Sequence, residues 1–596
     1  MKFIVQISYI LLLMGVLGVL FSIRKYRESV LKNRNKILIF IIISLSVSVL
    51  LWLFLRQEYF ISYWEFGGYW KKSLEFNDLL RSDVNVALDY LFSSIRTQEY
   101  NYLALALLSG PTQIFGAHFS RFVLVVYNFC LLPFNVLLFS LVLMILDDNN
   151  YKNKFTLVLI ILSIIFFSSN ILPLILGYIG AVALPFIMSV VIIIYCGYLR
   201  KHSFAYSVYI GLVLIFIVLI RRWYAYLVVG FFLGYGISLI IEYIIEKKNF
   251  KKEILPVYIR LFICGIIPLL LLRFGIPELF NKITKYNYTF AYQIMNVGSF
   301  YERFLWFFKN YGLVFFALAI VGIVITLKNK KYKYDGIASI IMFLFIVIAF
   351  NLTQMMGNHH YYTINVLMIL YSLIGLIYLC SLLSNKVLKI LIVFTLLVTT
   401  INTSIIFTKS NESIIQKVNS IIIPSYLPSM RIRKDVNNIK DITLFLKNNV
   451  GNSSVYVLAG SEYLNEDLIT NSFLPYDLKP VSNMASSKVW DFRDGIPKDF
   501  FKYQFVVTSS PSQYQFLRGG HKNIWVLAEN ITKKNGILNK FYDNIFETFI
   551  YGENDKEVKV IIYRRNQEIP RNVIDQFIDI FKRYYPDYPD LYEFNY

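Results

Sequence analysis

Apolar runs close to twenty residues long recur through residue 407, and they constrain this chain more than any other feature. They occupy 3–21, 37–55, 119–146, 155–169, 171–198, 205–220, 223–245, 255–274, 311–327, 336–352, 362–383 and 386–407, each near the ~20 residues that carry a helix across a bilayer. In hydrocarbon the backbone N–H and C=O groups find no partner but each other, so such runs are read as helices. The sequence therefore predicts a polytopic α-helical membrane protein with about twelve spans over 1–407, followed by a C-terminal domain over 408–596. Composition agrees, with 57% hydrophobic and 16% charged residues against roughly 25% charged in a soluble globular chain.

The first run is followed by Arg24, Lys25, Arg27, Lys32, Arg34 and Lys36. A signal peptide carries its positive charge before the apolar region, so this run reads as an uncleaved span. The positive-inside bias puts its basic loop in the cytoplasm and the N-terminus outside. Alternation then places Lys152 and Lys154, Arg200 and Lys201, and the clusters in 247–252, 328–333 and 386–389 inside as well, and every one of these loops is basic. The formal net charge of +21 is thus largely orientation signal, and no nucleic-acid partner is expected.

The stretch 209–241 is too long for one span. As a single helix it would reach roughly 50 Å against a hydrocarbon core of about 30 Å. It must turn, and Arg221 and Arg222 mark the turn on the outer side. By the same parity the outer face receives the first large loop (56–118), the loop 275–310, the stretch 354–362 and everything after about residue 408. Both termini are therefore expected outside a plasma membrane. Cys130, Cys196, Cys264 and Cys380 all lie inside apolar runs, which leaves neither a disulfide framework nor a thiolate zinc site.

The C-terminal region reads as a small extracytoplasmic α/β domain, with a helical pattern at 431–449 and strand-like runs at 454–458, 504–508, 523–527 and 558–564. Gly460 and Ser461 follow its first strand without forming a glycine-rich phosphate loop. The tail bearing Tyr584, Tyr585, Pro586, Tyr588 and Pro589 reads as packing against the domain or the membrane surface. The stretch 490–495 reads as a polar turn.

Chemistry would have to be built on the outer face. There, directly after a span, stands Tyr63-Trp64-Glu65-Phe66-Gly67-Gly68-Tyr69-Trp70. Aromatic rings would surround its acid, and two glycines would let the backbone bend closely round a ligand. A carboxyl in partly apolar surroundings has its neutral form favoured, which suits a proton acceptor near neutral pH. The plainer reading is an interfacial aromatic belt with one solvated acid. Glu75, Asp78 and Asp89 read as solvated helical faces, with Asp83 or Glu99 standing second to Glu65 as the base. Arg221 and Arg222 need the interface, a polar cavity or an anion, because one arginine at mid-membrane costs about 2.5–3.5 kcal/mol on insertion scales. They either anchor a helix turn among headgroups or bind phosphate oxygens bidentately. Arg273, at the outer end of 255–274, is a further candidate of this kind.

These motifs resemble those of bacterial polytopic glycosyltransferases of the GT-C superfamily, several of which carry an Asp-x-Gly-Gly-Tyr-Trp-like stretch. Glu65-Phe66-Gly67-Gly68-Tyr69-Trp70 is similar to it, with Glu in place of Asp. Glu99-Tyr100-Asn101-Tyr102-Leu103 with Gly110-Pro111 and Phe115-Gly116 resembles the segment leading to the next span. Met356-Gly357-Asn358-His359-His360-Tyr361-Tyr362 resembles a late outer loop. The resemblance covers roughly 37–407. It implies transfer of a sugar from a polyprenyl-phosphate carrier to a cell-surface glycan or other acceptor outside the membrane. On that reading Glu65 is the catalytic base, and Arg221, Arg222, His359, His360 and Arg273 bind the donor phosphate. Gly67, Gly68, Tyr69, Trp70, Tyr361 and Tyr362 would line the substrate pocket. Adjacent histidines without carboxylates nearby make a poor metal site, so no metal ligand is named, although a divalent ion stays open. Two alternatives remain: a lipid-linked oligosaccharide polymerase or ligase, and a non-enzymatic flippase or transporter. The last should carry charge at mid-depth and paired repeats, and no convincing repeat is found.

Overall fold

The computed structural model describes residues 1–98, 101–148, 178–197, 204–285, 298–382, 387, 390, 431–451, 453–487, 490–495, 498–515 and 518–592. The chain divides into two compact units. One comprises Met1–Gln57, Glu75–Tyr286 and Asn296–Met430; the other joins Glu58–Leu74 to Arg431–Tyr596.

Among the described residues of the first unit, seven helices are long and apolar enough to cross a membrane: Lys2–Ser22, Arg34–Leu55, Phe119–Asp147, Arg222–Glu246, Phe250–Gly275, Lys333–Thr353 and Asn358–Leu382. Three shorter apolar helices, Ile179–Tyr195, Phe204–Ile220 and Leu313–Lys328, fall on three more of the expected runs. The runs at 155–169 and 386–407 lie outside the described residues. Leu11, Ile42, Phe262 and Leu352 are exposed on these helices, as befits a surface whose solvent is lipid.

The long stretch 209–241 does turn at the arginine pair. Helix Phe204–Ile220 stops at Arg221, whose extended backbone (φ −152°, ψ 120°) opens a 3-10 turn, Arg222–Tyr224, that leads into helix Ala225–Glu246. Elsewhere two helices meet backbone to backbone through small residues, as spans do where lipid supplies no hydrophobic drive. A Cβ on Gly322 would lie 1.8 Å from the Tyr371 carbonyl oxygen, and one on Gly375 would lie 2.1 Å from that of Leu318. Ser372 Oγ adds a hydrogen bond to the Phe315 carbonyl at 3.0 Å.

The loop expected at 56–118 is largely helical, with Trp64–Ser82, Val84–Thr97, Leu103–Leu107 and Ser109–Phe115. Asp83 caps the second of these by accepting from the Asn85 and Val86 N–H groups at 2.8 and 3.2 Å. Capping of this kind is what a short acidic side chain ahead of a helix commonly does.

The second unit carries a five-stranded sheet of order β2-β1-β3-β5-β4, with β1 Val455–Val457, β2 Met484–Ser486, β3 Phe505–Ser510, β4 Tyr542–Tyr551 and β5 Glu557–Arg565. β1 pairs in parallel with β2 and β3, and β5 pairs antiparallel with β3 and β4. Tyr456, Val506, Ile561 and Tyr563 point to one face, where Leu527 and Ile531 of helix Lys522–Thr532 and Phe577 and Phe581 of helix Arg571–Tyr584 close the core. Their neighbours Val455, Val457, Phe505, Val507, Val560 and Ile562 are also buried, so the central strands are covered on both faces.

Residues 523–527, read as a strand, form the start of helix Lys522–Thr532. Asp491 explains the change by accepting from the Lys522 and Asn523 N–H groups at 2.7 and 2.9 Å, which satisfies two orphan donors of a helix start. Ile524, Leu527, Ala528 and Ile531 are then buried at helical spacing. The stretch 490–495 is thus a helix-capping element. The aromatic tail packs on the same place: Tyr585 donates its hydroxyl to Asp491, and the Tyr585 and Tyr588 rings both lie 5.2 Å from Phe492.

Candidate functional site

Two groups of candidate residues stand out, one in each unit.

In the membrane unit the break at Arg221 sets Trp223 at the centre of an aromatic and cationic cluster. The Trp223 ring lies 6.0 Å from His359, 5.8 Å from His360 and 6.5 Å from Tyr362. His359 stacks on Tyr178 at 4.7 Å. Gly180 permits the approach, since a Cβ there would meet the Trp223 ring at 2.9 Å, and its carbonyl accepts from the Tyr224 hydroxyl at 2.9 Å. Arg221 is buried, with 8% of its surface exposed, and lies within electrostatic reach of His359. The fold therefore brings the break that bears Arg221 and Trp223 together with the His359–His360 turn from a separate element.

His360 is held firmly. Its Nδ1 accepts from the Gly357 N–H at 3.0 Å, its ring packs 4.8 Å from Phe350, and its carbonyl accepts from Thr363 Oγ1 at 2.8 Å. Tyr362 is fully buried and Tyr361 nearly so, the latter among Phe307 and Tyr311. Arg273 is exposed, with its guanidinium 5.8 Å from both the Phe274 and Phe280 rings.

Sequence reasoning passed over Lys282. Its ammonium pKa is lowered, first by burial and then by the charge of Arg222, so it lies within electrostatic reach of that arginine. It sits in a loop helix, Pro277–Lys285, with no motif round it. A further basic cleft of about 410 Å³, lined by Trp52, Arg56, His118, Ser120 and Arg121, lies where helix Arg34–Leu55 ends and helix Phe119–Val126 begins.

In the second unit, Glu65 is the second residue of helix Trp64–Ser82 and is half-buried. The turn that delivers it is tight. Trp64 has a φ of 48°, a left-handed conformation that a bulky side chain seldom adopts, and its N–H donates to Asp467 Oδ2 at 2.8 Å. The Ser62 carbonyl accepts from Asn471 Nδ2 at 2.8 Å. A Cβ on Gly67 would fall 2.5 Å from the Ser62 carbonyl carbon, whereas one on Gly68 would meet nothing within 4 Å. Only Gly67 is therefore required by the close approach. Tyr69 and Trp70 are buried one turn further on.

The preceding residues are fixed too. Arg431 makes a bidentate pair with Glu58 at 3.0 and 2.9 Å and lies 4.1 Å over the Phe60 ring. The Arg433 N–H donates to the Tyr59 carbonyl at 2.8 Å. Tyr63 donates to Glu462 at 3.3 Å, and burial, with that carboxylate, pushes its phenol up. Of the alternative bases, Asp83 is a helix cap and Glu99 lies outside the described residues. Among the described residues no three His, Cys, Asp or Glu side chains gather as a metal site.

No protein-family model and no curated protein sequence matches the chain. It is similar to a solved structure, the crystal structure of ArnT from Cupriavidus metallidurans bound to undecaprenyl phosphate, at 10% identity over 89% of this chain and 99% of that one, with a TM-score of 0.44. A likeness at this level assigns no role to any residue.

Proposed function

We propose that this protein is a membrane glycosyltransferase of the GT-C type that takes a sugar from a polyprenyl-phosphate carrier and passes it to an acceptor hydroxyl on the outer face. The observation that carries the reading is the meeting of the Arg221–Trp223 break between two apolar helices with the His359–His360 turn, Trp223 packing on both histidine rings and Arg221 lying within electrostatic reach of His359. Cationic side chains close to one another can bind a single phosphate between them. At the end of a membrane helix the anion within reach is a lipid headgroup, and guanidinium groups bind phosphate oxygens in pairs.

In this reaction the acceptor oxygen attacks the anomeric carbon. The bond from that carbon to the phosphate oxygen breaks, with its electron pair leaving on the polyprenyl phosphate. Arg221 and Arg222 stabilise the departing charge, and Glu65 takes the acceptor's proton. The two roles are tested separately. Replacing both arginines by Ala should raise the donor KM by roughly tenfold or more, the scale of one lost charge-assisted hydrogen bond; unchanged donor affinity removes that assignment. Glu65→Gln should lower kcat at least about a hundredfold with membrane insertion intact, and near-normal transfer would remove Glu65 as the base. Offering a single sugar on polyprenyl phosphate beside an oligosaccharide on polyprenyl diphosphate tests the donor class. Transfer of the oligosaccharide alone would point to a polymerase or ligase.

A further inference from the structure

We propose that the α/β unit is a positioning device for Glu65, in which Asp467 and Asn471 fix the turn that carries it; the inference rests on the reading of Glu65 as proton acceptor. Open sheets with parallel strands offer a binding crevice beyond the carboxyl ends of the strands, where successive connections depart in opposite directions. In the order β2-β1-β3 that point lies between β1 and β3. The segments leaving those two strands are stitched together there. The Gly460 N–H donates to the Gln513 carbonyl at 2.9 Å and Ser461 Oγ to Gln513 Oε1 at 3.0 Å.

The residues that follow, Glu462 to Asn471, grip the chain's own segment 62–64. Asn465 caps the short helix Glu466–Asn471 by accepting from the Leu468 N–H at 2.9 Å, and that helix presents both Asp467 and Asn471. Asp467 accepts the N–H of Trp64, the first residue of helix Trp64–Ser82. That N–H has no acceptor within its own helix, and a carboxylate is favoured at the positive end of a helix. Asn471 fixes the Ser62 carbonyl, and Gly67 closes on the same carbonyl. Glu65 lies between these fixed points, beside a Trp64 backbone that needs outside support to stay left-handed. The connection that leaves β1 beside this crevice is thus committed to holding the turn that carries a carboxylate.

Transfer kinetics of the full-length protein with a polyprenyl-phosphate-linked sugar test the idea. Asp467→Ala should lower kcat at least about tenfold with donor KM within about twofold, because misplacing a reacting group by 1 Å costs on the order of a hundredfold. Asp467→Asn, whose amide oxygen still accepts the Trp64 N–H, should stay within about threefold of wild type. Asn471→Ala loosens the same turn independently and decides the matter if Asp467→Ala yields no folded protein. Wild-type kcat in the Ala variants, an equal loss in Asp467→Asn, or a loss confined to KM would overturn the inference. Glu65→Gln separates it from the reading beneath: activity there removes the base itself. An inactive Glu65→Gln beside a fully active Asp467→Ala removes the clamp alone.

Discussion

At the scale of single residues, the two glycines after Glu65 have different jobs. Gly67→Ala forces a methyl group into the Ser62 carbonyl, so the turn must open; transfer should fall by tenfold or more, the range expected of a misplaced reacting group. Gly68→Ala meets open space and should keep activity, with stability unchanged or raised by about 0.5–1 kcal/mol, since Ala suits a helix better than Gly. Assaying the pair side by side checks this, and equal loss in both would mean that the close approach is not what matters. A second residue-scale effect involves His521, buried between Trp490 and Tyr514, with its pKa lowered to about 4 by burial. The unfolded chain binds this proton more readily than the fold does, so the stability from the neutral ring is complete above about pH 6.5. It is lost as pH falls from there toward 4. The nearby Asp491 carboxyl, raised chiefly by burial, works in the opposite direction. Thermal unfolding of the full protein should therefore show a shallower fall in Tm toward acid for His521→Gln than for wild type, both variants sharing the Asp491 contribution.

At the scale of elements, the contact between helices Leu313–Lys328 and Tyr362–Leu382 leaves no room for a side chain at Gly322 or Gly375. Gly375→Leu should destabilise the membrane unit by at least the roughly 1–3 kcal/mol of ordinary overpacking, read as a lower Tm in detergent. Gly18, with nothing within 4 Å, should accept the same change. What the sequence made legible at this scale was whatever a simple length or charge rule governs. The Arg221 turn followed from helix length against bilayer thickness, and ten of the expected runs appear as described apolar helices. Residues 523–527 were misread because Ile, Trp and Val in a short run suit either state, and the deciding cap came from Asp491, some thirty residues earlier. Helix Arg571–Tyr584 carries a clear apolar stripe of Val573, Ile574, Phe577 and Phe581, a pattern that was legible and passed over. Lys282, Asp467 and Asn471 carried no local signal, because each acquires its meaning only from a partner distant in sequence.

At the scale of the whole molecule, the charge pattern predicts which side each segment faces, and the cysteines make that testable. Cys130, Cys264 and Cys380 are buried and Cys196 is half-buried, so the native thiols should be silent to a membrane-impermeant maleimide. In intact cells, Lys534→Cys, on the surface of the α/β unit, should label. Lys330→Cys, in a basic loop, should label only after the membrane is opened. The reverse pattern would invert the topology and place the chemistry on the wrong face. The clamp on Glu65 also bears on how such a protein is made. The hydrogen bond from Trp64 to Asp467 joins residues 403 positions apart, and at translation rates of about 5–20 residues per second that interval lasts on the order of 20–80 s. Throughout it the early spans already sit in the bilayer while the acid turn still lacks its Asp467 and Asn471 partners. On the proposed reading, a chain halted before Asn471 would insert yet leave lipid-linked sugars untouched, so transfer would begin only after the ribosome has passed that residue.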